Sequence, residues 1–360
     1  MRVAPPIHFV VPVWGESYVR TFLDYCLPAQ LSPGNIPSLG KDGGDRYIIY
    51  TTPADQAVME ASESCRALQR LIPVTFEHID LTLFDGEKYQ CKSECYRKAL
   101  QQAITGNAAV IALNADVLFA NGFLRTVKDL LSRGKRVIEV PGPRGLRDPI
   151  AKVLDSDFRG ADGISISIEP IELAKLWLKN LHPQLQMHYV EGVEGETFHP
   201  SHLYWLVGQE GAIIRGFHLY PIVIYPGERS INFNGTIDDD LVANLGVTEQ
   251  EKYLAQDSRE LFCCELSLPE TNVGRMAGRG DMPRVVEFYL SYSRNNIGNI
   301  KKEILITGVP VLGDIWKVRR RQSAQFTRRL LRLYNAEVRR RAMQAAFTRV
   351  RAAFLKNSGA

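Results

Sequence analysis

Ala109-Val110-Ile111-Ala112-Leu113-Asn114-Ala115-Asp116-Val117-Leu118-Phe119 runs through five apolar residues and then sets an asparagine and an aspartate two positions apart. An unbroken apolar run of that length, with no polar alternation, suits a strand buried on both faces, as in a parallel sheet covered by helices. Upstream, a helical pattern over 88–104 stops at Gly106-Asn107 and leads directly into this strand. Downstream, a helix over 122–132 closes at Arg133-Gly134, and a strand follows at 136–140. The N-terminal part alternates in the same way. A strand at 7–13 gives way to Trp14-Gly15-Glu16-Ser17 and a helix bearing Tyr18, Phe22, Tyr25 and Cys26. A second strand at 47–50 ends in Thr51-Thr52-Pro53, an amphipathic stretch fills 54–71, and a third strand covers 74–79. The Gly- and Pro-rich segment 32–45 is expected to be a surface loop. Such alternation predicts an α/β fold with a mostly parallel, Rossmann-type sheet flanked by helices.

Beyond residue 141 the pattern is less regular: a helix over 170–181, strands at 204–207, 211–215 and 221–225, then short elements and loops over 231–314. The 360 residues are 45% apolar and 23% charged, enough core for about two domains, which excludes a disordered or collagen-like chain. No window approaches the ~20 apolar residues of a membrane span. The six cysteines, including adjacent Cys263 and Cys264 and the pair Cys91 and Cys95, form no disulfide or zinc framework, so a reducing cytoplasm is the expected compartment. The net charge of +4 conceals an asymmetry. Residues 315–360 carry 13 Lys/Arg against the single acid Glu337, a net +12, while the rest of the chain stands at −8. From Phe326 the apolar positions Leu330, Leu333, Met343, Phe347, Val350 and Phe354 recur at spacings of three, four and seven, which predicts a long basic amphipathic helix or helical hairpin.

In open α/β sheets ligands bind beyond the carboxyl ends of the strands. Three such ends carry candidates: Pro12, Val13, Trp14 and Glu16 after the first strand, Thr51 and Thr52 after the second, and Asn114, Ala115 and Asp116 after the fourth. Asn114 and Asp116 fall on one side of an extended chain and can face one hard cation, Mn²⁺ or Mg²⁺, of the kind that accompanies a nucleoside diphosphate. They can equally terminate the strand and cap the helix that begins near Asn121.

Val10-Val11-Pro12-Val13-Trp14-Gly15-Glu16 with Tyr18 and Leu27-Pro28-Ala29-Gln30-Leu31, followed by the helix, strand and Asn-Ala-Asp of residues 92–116, resembles the family-2 type of GT-A-fold glycosyltransferases. The resemblance covers residues 7–140, a little over a third of the chain. It implies a GT-A-like fold and transfer of a sugar from a nucleoside-diphosphate donor to a hydroxyl, with inversion. It also implies a metal held by Asp116 with Asn114, phosphate contacts from Lys92 and Arg97, and a catalytic base among Asp238, Asp239 and Asp240, with Asp238 the best match. A late metal ligand is implied at His218. The chain departs from the pattern in having no acid at Thr51-Thr52 and an asparagine at position 114. His199 and His202, with no further ligands clustered in sequence, are weaker candidates, and 274–280, with three glycines and two arginines, reads as a lid or a flexible loop.

The expected organisation is a nucleotide-sugar-binding and catalytic part over 1–230, an acceptor-side extension over 231–314 and a basic helical tail over 315–360. A glycan or lipid-linked glycan is the expected acceptor. The tail suits an anionic membrane surface, at its cytoplasmic face, or a partner subunit, and nucleic acid ranks last because no base-stacking aromatics interleave the arginines. Two other readings compete. A nucleotidyltransferase would normally show a Gly-rich basic loop in place of Trp14-Gly15-Glu16-Ser17. A non-catalytic scaffold of the same fold is raised by Asn114.

Overall fold

The computed structural model describes residues 3–40, 44–85, 87–191, 198–217, 219–233, 235–238, 241–270, 279–292 and 297–357, with backbone alone for 350–357. Its strands are β1 Ile7–Pro12, β2 Arg46–Thr51, β3 Val74–His78, β4 Ala109–Ala112, β5 Val117–Phe119, β6 Val137–Val140, β7 Arg144–Leu146, β8 His202–Val207, β9 Gly211–Gly216, β10 Tyr220–Ile224, β11 Lys252–Leu254, β12 Cys263–Ser267 and β13 Ile304–Thr307. Seven of them form the central sheet in the order β11-β6-β10-β4-β1-β2-β3. It is a mixed α/β architecture with a mostly parallel sheet: β3, β2, β1 and β4 run parallel, and β10 alone enters antiparallel between β4 and β6.

Burial on both faces explains the apolar runs. Phe9, Val11 and Ile111 belong to the core on one side of the sheet, while Val10, Val110 and Ala112 belong to the core on the other. The helix Lys88–Thr105 covers the second side with Tyr96, Ala99, Leu100 and Ala103. The helix Phe123–Ser132 covers the first with Phe123, Leu124 and Val127. From β1 the chain builds outward through β2 and β3, then crosses back to place β4 on the other flank of β1. The order of strands therefore reverses between β1 and β4. At such a reversal the carboxyl ends of the two strands border a crevice.

Three local expectations are corrected. The stretch 54–71 is two helices, Pro53–Ala61 and Glu63–Gln69, broken at Ser62, whose extended backbone (ψ 147°) lets its hydroxyl cap the second helix by accepting from the Cys65 N–H at 3.2 Å. The segment 32–45 is no surface loop throughout: Ser32 and Asn35 are fully buried. The Asn35 amide donates to the carbonyls of Ala29 and Ala120 and accepts from the Leu124 N–H at 3.0 Å, pinning this corner to the start of the next helix. The helix after β1 also does not run evenly; Glu16–Thr21 passes into a π-helical turn, Phe22–Cys26, before Leu27–Gln30.

Two three-stranded sheets complete the fold. In β5-β12-β7 the central strand pairs antiparallel with β5 and parallel with β7, which sets Glu265 opposite both Val117 and Arg144. In β13-β9-β8 all pairings are antiparallel, and the face carrying Trp205 and Ile213 packs on the helix Met282–Tyr292 and on one long helix, Asp314–Asn357. The basic tail is thus a single 44-residue helix and not a hairpin. No helix of the described residues is long and apolar enough to cross a membrane.

Candidate functional site

The crevice at the strand reversal is a cavity of about 140 Å³ lined by Pro12, Val13 and Trp14 from the end of β1, and by Asn114, Ala115 and Asp116 from the end of β4. Tyr18, Lys88, Tyr89, Lys92, Arg144 and Glu265 complete its walls. Backbone bonds hold the two strand ends in place: the Val13 N–H donates to Tyr50 O at 2.9 Å and the Leu113 N–H to Val10 O at 2.8 Å. Asp116 is fixed from its own carbonyl, which accepts from the Leu266 N–H of β12 at 2.8 Å. That bond brings β12, and with it Glu265, to the floor of the crevice.

The ionic arrangement is dense. Arg144 donates to Glu265 through Nε at 2.9 Å and to Gln184 Oε1 through Nη1 at 3.0 Å, and Asn114 donates its amide N–H to Glu265 Oε1 at 3.2 Å. The oxygen of Asn114 accepts instead from the Tyr220 hydroxyl at 3.2 Å, and the Tyr96 hydroxyl donates to Leu113 O at 2.6 Å. Lys92 stands with its ammonium 5.9 Å and 6.0 Å from the Tyr96 and Tyr220 ring centres, within cation–π range. Burial, reinforced by the charge of Glu265, pushes the Asp116 carboxyl up to about 7 against the opposing pull of Lys92 and Arg144. Burial likewise draws the Lys92 ammonium down, opposed by Glu265, Asp116 and Asp238. Two carboxylates and two cations therefore share a partly desolvated space, where each charge is worth more than in water.

A larger cavity, about 590 Å³, adjoins the first and shares Arg144 and Glu265 with it. Its walls include Gln184, His188, His199, His202, Tyr204, Phe217, Tyr220, Asp238, Phe288 and Tyr292. His188 is held neutral: burial, then the nearby His199, lowers it to about 4. Its Nδ1 lies 2.7 Å from the His199 carbonyl, and the Ser201 hydroxyl links the rings of His199 (2.9 Å) and His202 (3.3 Å). In the sequence His199 and His202 have no further ligands clustered beside them. The fold gathers them, with ring centres of His188 5.5 Å from His199 and 5.8 Å from His202.

The candidates drawn from sequence separate into three groups. Pro12, Val13, Trp14, Lys92, Asn114, Ala115 and Asp116 line the smaller cavity, and Asp238 lines the larger. Glu16, Thr51, Thr52 and Arg97 lie elsewhere. Glu16 pairs with Arg20 beside a separate surface hollow. Thr51 is fully buried, and Thr52 caps the helix Pro53–Ala61, with Asp55 accepting from its hydroxyl at 2.9 Å and from the Gly15 N–H at 3.0 Å. Arg97 pairs with Glu94 and stacks on Phe233 at 4.7 Å. His218, Asp239, Asp240 and 274–278 lie outside the described residues. Arg279 is buried and donates to the carbonyls of Gln186 and Tyr189. Asp238 stands in a turn, and among the described residues the helix that follows it is Leu241–Asn244.

Sequence reasoning missed Glu265, Arg144, Tyr96 and Tyr220. Glu265 did leave a signal, as the one acid in the otherwise apolar or small run Leu261-Phe262-Cys263-Cys264-Glu265-Leu266-Ser267-Leu268. An acid on a buried strand is retained where something pairs with it.

Among the described residues no group of three or more His, Cys, Asp or Glu side chains converges as a metal centre. Asp116 and Glu265 nonetheless suit a hard cation that completes its shell from phosphate and water, and the Asn114 oxygen, which accepts from Tyr220, keeps a second lone pair.

No protein-family model and no curated protein matches the chain. Among solved structures it is similar to a Bacillus anthracis protein assigned as a glucose-1-phosphate thymidylyltransferase, crystallised with sucrose, at 14% identity and a TM-score of 0.24, over 40% of this chain and 57% of that one. It is similar also to mouse xyloside xylosyltransferase 1 in its apo form, at 9% identity and a TM-score of 0.22, over 44% of this chain and 61% of that one. The chain thus spans less than two thirds of either structure.

Proposed function

We propose that the protein is a nucleotide-sugar-dependent glycosyltransferase whose donor diphosphate sits in the β1/β4 crevice and whose acceptor enters through the larger cavity. The observation that carries this reading is the shared wall: Arg144 and Glu265 line both cavities, so a group bound in one meets a group bound in the other at these side chains. The smaller cavity, at about 140 Å³, suits part of a nucleotide sugar, with Trp14, Tyr18 and Tyr89 offering faces to a base or ribose. Lys92 and Arg144 would neutralise the charge that develops on the departing diphosphate. A bound Mn²⁺ or Mg²⁺, held by Asp116 and Glu265, would supply further charge stabilisation at the phosphates. Asp238, on the wall of the larger cavity, would accept the proton of the attacking hydroxyl, and attack from that side inverts the anomeric carbon. The aromatic and imidazole lining of the larger cavity supports a saccharide acceptor, since sugar C–H faces pack on rings and sugar hydroxyls bond to imidazole nitrogens.

The test is turnover of a panel of nucleotide sugars by the purified full chain with Mn²⁺, read as nucleoside-diphosphate release. Asp116→Asn is expected to lower turnover by about 100-fold, the scale on which removing one transition-state charge partner acts. Asp238→Asn should depress transfer while leaving donor binding intact. Equal turnover by wild type and Asp116→Asn would overturn the reading, and pyrophosphate release from a nucleoside triphosphate and a sugar phosphate would move the chain to nucleotidyl transfer.

A further inference from the structure

The helix Asp314–Asn357 changes character along its length. Trp316, Ser323, Thr327, Leu330 and Tyr334 are buried against the body, and the Trp316 indole N–H donates to Glu210 at 2.8 Å. From 338 to 349 every residue is exposed. Met343 is 61% and Phe347 79% accessible, and the ion pair of Arg341 with Glu287 is the last side-chain tie to the body among the described residues. Twenty residues, 338–357, thus continue the helix for roughly 30 Å at 1.5 Å per residue, and the apolar side chains of Val338, Met343 and Phe347 are uncovered.

The sequence of this segment is ordered. Met343, Phe347, Val350 and Phe354 follow one another at spacings of four, three and four, which places them on one helical stripe. Arg339, Arg340, Arg341, Arg349, Arg351 and Lys356 fall between and beside them, and Glu337 at its edge is the one acid of 315–360. A stripe of large apolar residues flanked by arginines suits the boundary between headgroups and acyl chains, where the stripe sinks in and the long basic side chains reach back to phosphate. A second copy of the chain would have to offer an apolar trough of equal length. Among the described residues the large exposed apolar side chains of the body instead come from separate places: Val3, Tyr18 and Tyr89 at the smaller cavity, Val58, Leu81 with Leu83, Tyr292 and Val311.

We propose that residues 338–357 lie along an anionic lipid surface, inserting the Met343/Phe347 stripe and neutralising acidic headgroups with the flanking arginines. This inference stands apart from the glycosyltransferase reading, because it draws on no residue of either cavity. The full chain is sedimented with vesicles of phosphatidylcholine alone and of phosphatidylcholine mixed with phosphatidylserine. Pelleting with the mixed vesicles only is expected, and high salt should weaken it at least about tenfold. The double variant Met343→Glu, Phe347→Glu should lose binding by about tenfold or more while melting at the wild-type temperature, since both side chains are exposed in the folded chain. Equal pelleting with both vesicle types, or unchanged pelleting of the double variant, overturns the proposal. So does self-association of the wild type in sedimentation velocity that the double variant abolishes without any vesicle binding.

Discussion

Glu265 and Arg144 show how a single register fixes chemistry, since parallel pairing of β12 with β7 sets them side by side and the 2.9 Å bond between them closes the wall shared by the two cavities. Substituting Glu265→Gln removes the charge that holds Arg144 and leaves Asp116 as the one carboxylate of the crevice. Turnover is expected to fall by about 10- to 100-fold and the melting temperature to fall with it, because Glu265 accepts from Asn114 through one oxygen and from Arg144 through the other, and Gln offers only one. Histidine burial gives a second residue-scale expectation. His8 accepts from Arg46 Nε at 2.9 Å, so that nitrogen is unprotonated, and burial followed by the Arg46 charge lowers the ring to about 4. His188 is lowered equally. In the unfolded chain both rings titrate near the ordinary 6.5, so between about 6.5 and 4 the unfolded state binds more protons. The two rings therefore contribute stability that is full above pH 6.5 and is lost as pH falls through this window, partly offset by the raised Asp116 carboxyl, which acts in the opposite direction. Melting temperature measured across it should drop on acidification, and the drop should shrink in His8→Gln and His188→Gln. An acid-side slope left unchanged by both substitutions would contradict the burial of both rings.

At the level of elements, strands β1 to β4 and the helices between them were legible because their periodicity is local: an apolar run followed by a helical pattern needs no knowledge of what lies across the sheet. The Asn-Ala-Asp end of the fourth strand was legible for the same reason, and it does line the crevice. The insertion of β10 antiparallel between β4 and β6 was not legible, since its neighbours lie some 80 to 110 residues away and β-branched residues at 220–224 suit either direction. Glu265 was hidden likewise; its importance depends on a bond between the Leu266 N–H and Asp116 O that joins segments 150 residues apart. Arg97 and Thr52 make local contacts outside the residues that line the two cavities: Arg97 pairs with Glu94 and stacks on Phe233, and Thr52 caps the helix Pro53–Ala61. Gly211 tests the placement of the smaller antiparallel sheet. A Cβ there would stand 2.1 Å from Ile306 O and 2.5 Å from the Trp316 ring, where backbone cannot yield. Gly211→Ala should lower stability by about 1–3 kcal/mol, read as a shift in the urea midpoint, and more if β13 detaches. An unchanged midpoint would mean that β13 and the long helix do not seat on β9 as described.

Over the whole molecule the charge is divided, net −8 before residue 315 and net +12 after it, and the long helix carries that division as structure. Its first part belongs to the body: Phe326 meets Trp205 edge to face at 5.8 Å, Arg215 Nε donates to the Ser323 hydroxyl at 3.3 Å, and Leu330 is fully buried. Its later part adds only exposed ion pairs, which contribute little to stability in water. Two truncations separate these roles. A chain ended after Glu337 should keep the full-length melting temperature and the activity on a soluble acceptor, because every residue from 338 to 349 is exposed. A chain ended after Gln322 loses Leu330, Phe326, Thr327 and Tyr334 from the core around Trp205. At roughly 1.5–3 kcal/mol for each large apolar side chain buried, it should be destabilised by about 3 kcal/mol or more, or fail to fold. If the first truncation melted as low as the second, the end of the helix would be packing on something in the folded chain, and its exposed stripe would no longer be available to a lipid surface.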